Sequence, residues 1–190
     1  MNAEQLKNDP RFGTKSEFDD FFASTVKWAE SCLADGDTED VMPKVLTVGR
    51  SRDNFEMHTN VYVIASGFND ERTKWETIRK LGYQAASDGF APLMAALISE
   101  AWRAPEGPCQ PKDNPQKIEI VMVSAVDCFR RWSRGASMAI RRRVDNTIQP
   151  GKLEEIEGGN FSMPLLEQFF VGSMQFMGKK LSGNSGTSQN

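Results

Sequence analysis

An almost unbroken apolar run at residues 117–126, KIEIVMVSAV, constrains the fold more than any other feature of the sequence. Ten residues rich in valine and isoleucine are typical of a strand, and this strand is apolar on both faces. Residues 92–102, PLMAALISEAW, have a similar character; their alanine and leucine also suit a helix, but the short run after Pro92 favours a buried strand. Two such strands need cover on both sides, which predicts a sheet packed against helices.

The remaining segments supply further strands and the helices. Strands are predicted at 44–50, at 57–66 and, after a turn at Ser133–Gly135, at 136–144. Apolar residues at helical spacing predict helices over 16–36, 69–89 and 162–181. Gly82 is expected to bend the second helix or to end it early. The order α-β-β-α-β-β-β-α predicts an α+β fold: a single mixed five-stranded β-sheet with about three packing helices.

The length and the terminal compositions predict one domain. The chain has 190 residues, which is the usual size of a single domain. Residues 1–15 are expected to form a polar leader and 16–181 a single globular domain. The last nine residues, 182–190, have the sequence SGNSGTSQN and are expected to form a flexible tail. Ser16 and Ser162 are the predicted caps of the first and last helices, and Gly36 is the predicted end of the first.

Several classes of chemistry lack their sequence signature. His58 is the only histidine, and the three cysteines, Cys32, Cys109 and Cys128, are widely spaced, so we expect no metal and no disulfide framework. Neither G-x-x-x-x-G-K-[ST] nor G-x-G-x-x-G occurs, and we expect no cofactor. A pair of His58 with Cys109 or Cys128 is the one nucleophile left open. With neither a signal-peptide pattern nor a membrane-length apolar run, we expect a cytoplasmic protein and no membrane contact.

Two carboxylates fall in predicted strands. Glu100 ends the third strand and Glu119 lies inside the fourth, and a carboxylate in apolar surroundings needs a partner or has a shifted pKa. One interpretation is a carboxylate pair for acid–base or Mg²⁺ chemistry, which gives a small enzyme using Glu100, Glu119 and nearby arginines. The other, which we favour, is pairing with Arg141 and Arg143 on one face of the fifth strand.

Residues 129–145, FRRWSRGASMAIRRRVD, contain six arginines in a chain whose net charge is −3. The candidate anion-binding or partner surface of this arginine hairpin consists of Arg130, Arg131, Trp132, Arg134, Arg141 and Arg143. Guanidinium groups bind phosphate or carboxylate and Trp132 could stack on a base, which predicts nucleic-acid or anionic-ligand binding. Alternatively these arginines meet the acidic first helix, within one chain or across a dimer, or they form a solvated edge strand protected by charge.

The last predicted helix is apolar nearly all round. Its main stripe, expected to face the sheet, consists of Leu166, Phe169, Phe170, Met174 and Met177. Leu165, Val171 and Phe176 fall largely outside that stripe, so their side is expected to be covered by a second copy or another protein, or else enclosed within the monomer. With no catalytic signature, the favoured hypothesis is a non-enzymatic interaction module that associates with itself or another protein through 162–181.

Overall fold

The computed structural model describes residues 4–5, 8–34, 42–64, 70–105, 107, 109–145, 147–156 and 163–183. The first helix and the first two strands are followed by a helix, four strands and a last helix. In chain order the elements are α1 (Lys15–Ala34), β1 (Lys44–Ser51), β2 (Met57–Val63), α2 (Glu71–Ser87), β3 (Phe90–Arg103), β4 (Ile118–Asp127), β5 (Ser133–Arg142), β6 (Ile148–Glu155) and α3 (Pro164–Gly183). The α+β class is confirmed, and residues 92–102 are strand rather than helix.

The strands form one open six-stranded sheet in the order β2-β1-β3-β4-β5-β6, and every neighbouring pair is antiparallel. The predicted mixed five-stranded sheet is therefore wrong in two respects, since β6 is an additional strand and no described pair is parallel. The predicted turn at Ser133–Gly135 is also wrong. Those residues already belong to β5, and the chain turns at 128–132, where Arg130 adopts a left-handed backbone with φ of 58°.

One face of the sheet is covered by α1. Thr14 and Glu17 close the start of this helix reciprocally, because each accepts a hydrogen bond from the other's backbone N–H (3.2 and 2.7 Å). The cap is therefore Thr14 rather than the predicted Ser16, whereas Gly36 lies outside the described residues. Phe18 and Phe22 of α1 are fully buried in a core that also contains inward-facing residues of β3, β4 and β5.

The opposite face is covered by the pair α2 and α3. Asp70 caps α2 by accepting a hydrogen bond from the Thr73 N–H (2.8 Å). The helix then continues through Gly82 to Ser87, so the bend or early end expected at Gly82 does not occur. Gly82 lies where α2 crosses α3, and this close approach explains why glycine occupies the position. Strands β3 and β4 are thus buried from both sides, as predicted.

Helix α3 is rotated relative to its predicted orientation. Leu166, Phe169 and Phe170 face the sheet as expected, but Met174 and Met177 are exposed. Phe176, predicted to lie on the outer side, instead packs edge-on against Tyr83 of α2, with ring centroids 5.2 Å apart. The reason is that α3 has two neighbours, the sheet and α2, so its apolar residues divide between two directions.

The two ends of the chain differ in how much the structure describes. The predicted leader 1–15 contains a 3₁₀ turn, Pro10–Phe12, and Phe12 packs against the α1 core. Most of the predicted tail, from residue 184 onward, lies outside the described residues, as does the predicted cap Ser162.

Candidate functional site

The arginines at the start of the arginine hairpin point to different sides of the sheet. Arg130 pairs with Glu167 of α3, with 2.8 Å between Nη2 and the carboxylate. Arg134 pairs with Glu155 of β6 at 2.6 Å and with Asp19 of α1 at 3.2 Å. Since α1 and α3 cover opposite faces, these two arginines do not share a ligand surface. The contact with Asp19 is one of the expected kind, between the hairpin and the acidic first helix.

Arg131 and Trp132 belong to a closed turn built around Asp127, whose side chain is fully buried. The Asp127 carboxylate accepts hydrogen bonds from Arg131 Nε (2.8 Å), from the Trp132 N–H (2.9 Å) and from the Phe129 N–H (3.2 Å). The Arg131 guanidinium lies 3.9 Å from the centroid of the Trp132 ring and donates to the Phe12 carbonyl (2.8 Å). Both side chains therefore pack within the turn, and Arg131 also ties the turn to the N-terminal segment through Phe12.

Glu100 and Glu119 do lie together, joined by Arg142. Arg142 Nη2 is 2.7 Å from Glu100 and 2.9 Å from Glu119, and its Nε is 3.1 Å from Glu119. The Glu119 carboxylate raises the pKa of the Arg142 guanidinium above its usual value, despite the opposing effect of burial. One guanidinium thus pairs with two carboxylates, and the three side chains form an ion-pair cluster.

The predicted partners of these carboxylates, Arg141 and Arg143, are the wrong ones. Side chains alternate along a strand, so Arg142 lies on the face of Met138 and Ile140 while Arg141 lies on the other. Arg141 and Arg143 are exposed near the end of β5. The bulky apolar residues two and four positions before Arg142 were the sequence signal for the correct arginine.

In the described structure, His58 forms no reactive pair with Cys109 or Cys128, and β1 and β3 lie between His58 and Cys128. Burial and then the Asp127 charge raise the pKa of the Cys128 thiol to about 12, which suppresses the thiolate that a nucleophile requires. Cys109 is exposed, and His58, on β2, has its nearest acidic partner in Glu56 at 3.9 Å. Within the described residues, no group of three or more His, Cys, Asp or Glu side chains is placed to hold a metal ion.

Edge strand β2 directs unpaired backbone groups away from the sheet, a feature that the sequence analysis did not predict. Ile64 donates its backbone N–H to Pro43 (2.9 Å), and the Glu56 carbonyl accepts from Ser51 (2.9 Å), so even-numbered residues direct their backbone groups toward β1. The alternate residues direct their N–H and C=O groups away from the sheet; these are Met57, Thr59, Val61 and Val63. In the described part of the chain, no strand lies beyond β2.

The same odd-numbered residues of β2 present an apolar surface. Met57, Val61 and Val63 are 41, 45 and 52% exposed. Met57 and Val61, together with Trp28 of α1 and Leu46 of β1, border a cleft of about 650 Å³ between α1 and the β1–β2 hairpin. Residues 57–66 contain no Lys, Arg, Asp or Glu, and this absence of charge was the signal available in the sequence.

The opposite edge of the sheet is different. Strand β6, IQPGKLEE, carries Pro150, Lys152, Glu154 and Glu155, and its pairing with β5 shifts register opposite Pro150. Proline, charged side chains and irregular pairing are the features by which edge strands avoid pairing with other chains. The two edges of the sheet therefore differ in their capacity to accept another strand.

No helix in the described residues is long and apolar enough to cross a membrane. Comparison of the chain with protein-family models, with curated proteins and with solved structures found no match.

Proposed function

We propose that the protein is a non-enzymatic self-association module whose copies join through edge strand β2. The observation that carries the proposal is the contrast between an uncharged, apolar β2 edge and a β6 edge bearing proline and charge. An exposed strand edge with unpaired backbone groups is a template for pairing with another chain. A second copy is the occupant that we favour, because the β2 edge is complementary to itself.

The self-complementarity follows from the register. In an antiparallel pair, residues whose backbone groups point outward must face each other. The pairing that uses all four outward-directed residues of each copy is centred on Asn60, with Met57 opposite Val63 and Thr59 opposite Val61. No like charges meet in this register, and the cross-strand pairs are β-branched or apolar, which favours association.

The two-fold axis of this pair would run perpendicular to the sheet. Such an axis keeps both copies of α1 on the same side, so their two clefts would lie next to each other and the exposed Val61 and Val63 would become covered. Each new backbone hydrogen bond contributes a net stabilisation of about 1 kcal/mol. Burial of the apolar β2 side chains would add to this.

The test is the oligomeric state of wild type and of a Val61→Lys variant, measured by sedimentation over a range of concentrations. Wild type is expected to reach twice its chain mass of 21.3 kDa, and Val61→Lys is expected to weaken association at least about tenfold. Val61 is half exposed, so the fold of the single chain should tolerate lysine there.

Two further variants serve as controls. Gln149→Lys introduces the same charge on the β6 edge and should leave association unchanged. Met174→Lys tests the exposed side of α3, the segment from which the sequence predicted self-association. A wild type that stays monomeric at about 100 µM would overturn the proposal, as would dissociation by Met174→Lys but not by Val61→Lys.

The alternative functions considered from the sequence find less support. Arg130, Arg131 and Arg134 each contact a carboxylate, so little of their charge is available to a nucleic acid. Glu100 and Glu119 share Arg142, and none of the three lines the cleft between α1 and the β1–β2 hairpin. We therefore put forward neither nucleic-acid binding by the arginine hairpin nor an enzyme based on these carboxylates.

A further inference from the structure

A second cavity, of about 600 Å³, lies where the N-terminal 3₁₀ turn, the β1–β2 turn and the start of β3 meet. Its walls include Arg11, Phe12, Arg50, Arg52 and Phe55. Among the described residues, the lining contains three arginines and no carboxylate, and the volume of the cavity is typical of sites for small organic molecules. This charge imbalance sets the cavity apart from the arginine hairpin.

Arg50 is the arginine with the least compensated charge. Its Nη1 donates to the Phe55 carbonyl (3.0 Å) and its Nε to the Arg11 carbonyl (3.3 Å), so its acceptors are neutral. Among the described residues, Arg50 forms no ion pair, and its Nη2 makes no hydrogen bond. A partly exposed guanidinium that is held in place by carbonyl groups is suited to bind an anion.

The two other arginines reinforce the positive potential. Arg52 donates to the Ala86 carbonyl at the end of α2 and lies over the Phe176 ring, and its Nε is buried with no hydrogen-bond partner in the described structure. Arg11 pairs with Asp9, yet its side chain is 73% exposed, so that pair is screened by water. Arg50 is therefore the residue that would contact a bound anion directly, and Arg11 and Arg52 add to the positive electrostatic potential of the cavity.

Phe55 supplies an aromatic wall in an unusual conformation. Its ring is 70% exposed and its φ is 58°, a left-handed backbone that bulky residues rarely adopt. The conformation is fixed by hydrogen bonds from the Phe55 N–H to Ser51 (3.0 Å) and from Arg50 to the Phe55 carbonyl. Glycine or asparagine would suit this turn better, and a bulky residue kept in such a conformation is a sign of functional constraint.

From these observations we propose that this cavity binds a small organic anion that carries a planar ring. The phosphate or carboxylate group would bind Arg50, and the ring would pack against Phe55. Arg50 supplies a fork of N–H donors that matches either anion, and an aromatic face stabilises a stacked ring. This site is independent of the β2 edge, so the two proposals can fail separately.

The test uses four probes measured by calorimetry with the full chain. Adenosine monophosphate and 2-naphthoate each combine a ring with an anion and distinguish phosphate from carboxylate. Adenosine has only the ring and inorganic phosphate only the anion. At least one ring-bearing anion is expected to bind about tenfold more tightly than adenosine or inorganic phosphate.

Variants identify the site. Arg50→Gln should lower the affinity for the probe that binds wild type by about tenfold. Phe55→Gly should weaken binding of the probe severalfold. It should also raise the melting temperature, because glycine adopts the left-handed backbone without strain. A loss of binding in this variant would therefore not be due to unfolding. Arg141→Gln, at an exposed arginine of β5, should change nothing. Failure of both ring-bearing anions to bind at about 5 mM, or unchanged affinity in Arg50→Gln, would overturn the proposal.

Discussion

Gly82 of α2 and Gly172 of α3 lie at the point where the two helices contact each other backbone to backbone. A β carbon on Gly82 would lie 1.8 Å from the Phe169 carbonyl oxygen, and one on Gly172 would lie 1.9 Å from the Arg79 carbonyl oxygen. These distances leave no room for a methyl group, and the obstacles are backbone atoms that cannot rotate away. The helix pair therefore depends on glycine at both positions.

We expect Gly82→Ala or Gly172→Ala to lower the free energy of unfolding by about 3 kcal/mol, because the helices must separate to admit the methyl group. Gly178→Ala, also in α3, is the matched control, since in the described part of the chain a β carbon there meets nothing within 4 Å. That change should be neutral or should stabilise the helix by up to about 1 kcal/mol. Urea denaturation measures all three, and equal effects at positions 172 and 178 would contradict the contact.

Replacement of Arg142 should destabilise the fold, because Glu100 and Glu119 would lose the positive charge that they share. Arg142→Met is expected to lower the free energy of unfolding by about 2 kcal/mol, less than for a fully buried pair because the side chains are 18–27% exposed. Arg141→Met, one residue earlier on the exposed face, should change it by less than about 0.5 kcal/mol.

A rescue experiment shows whether the carboxylates cause the loss. Adding Glu100→Gln and Glu119→Gln to Arg142→Met removes both charges and should recover most of the stability. A triple variant as unstable as Arg142→Met alone would show that packing of the arginine stem, rather than charge, accounts for the effect.

Asp127→Asn should be among the more damaging single-atom changes in the chain. It removes the charge that faces Arg131, whose side chain is only 12% exposed, and we expect a loss of about 3 kcal/mol. Asp145→Asn is the control, since Asp145 also accepts hydrogen bonds within a turn, from Thr147, but is exposed. Its loss should stay below about 1 kcal/mol, and comparable losses at the two sites by thermal or urea denaturation would contradict the assigned role of Asp127.

Stability should depend on the Cys128 thiol at alkaline pH. Its pKa is raised from 9.0 to about 12, so between these values the unfolded chain has released the thiol proton while the folded chain retains it. The unfolded state then binds fewer protons, and the free energy of unfolding falls as pH rises. Below pH 9 both states are protonated and the effect vanishes.

The measurement compares wild type with Cys128→Ala by urea denaturation from pH 8 to pH 11. The difference between them should change with a slope of at most about 1.4 kcal/mol per pH unit, with wild type losing more. Exposed Cys109 provides an internal comparison, because a thiol reagent should modify it much faster than Cys128. Parallel pH curves for the two proteins would contradict the raised pKa.

Most elements were predictable because their apolar periodicity is strong, and the missed strand shows where that signal ends. Strand β6 contains Pro150 next to Gly151, a pair that normally marks a turn. In the sheet, Pro150 sits at an edge and opposite a register shift, the two places where a strand tolerates proline. Proline, glycine and charged residues are typical both of a protected edge strand and of a loop, so the sequence of β6 alone does not distinguish the two.

The candidate sites were less predictable because they depend on tertiary placement. Arg142 contacts the carboxylates because β5 turns Met138 and Ile140 toward α1, a choice of face that the three consecutive arginines obscure. Phe176 turned inward because α3 packs on a second helix. The cavity beside Arg50 joins residues 11, 50 and 55, and their proximity comes from the sheet rather than from any motif.

Helix α1 precedes all the strands on which it packs, and this order has a consequence during synthesis. Its buried phenylalanines belong to a core that is completed only by β5 and by Ile148 of β6, and its Asp19 contacts an arginine 115 residues later. At about 5–20 residues per second, a ribosome needs on the order of ten seconds to deliver those partners. Throughout that interval the phenylalanines of α1 lack their partners and are exposed to solvent. The partly synthesised chain is therefore more prone to aggregation and chaperone binding than the folded protein.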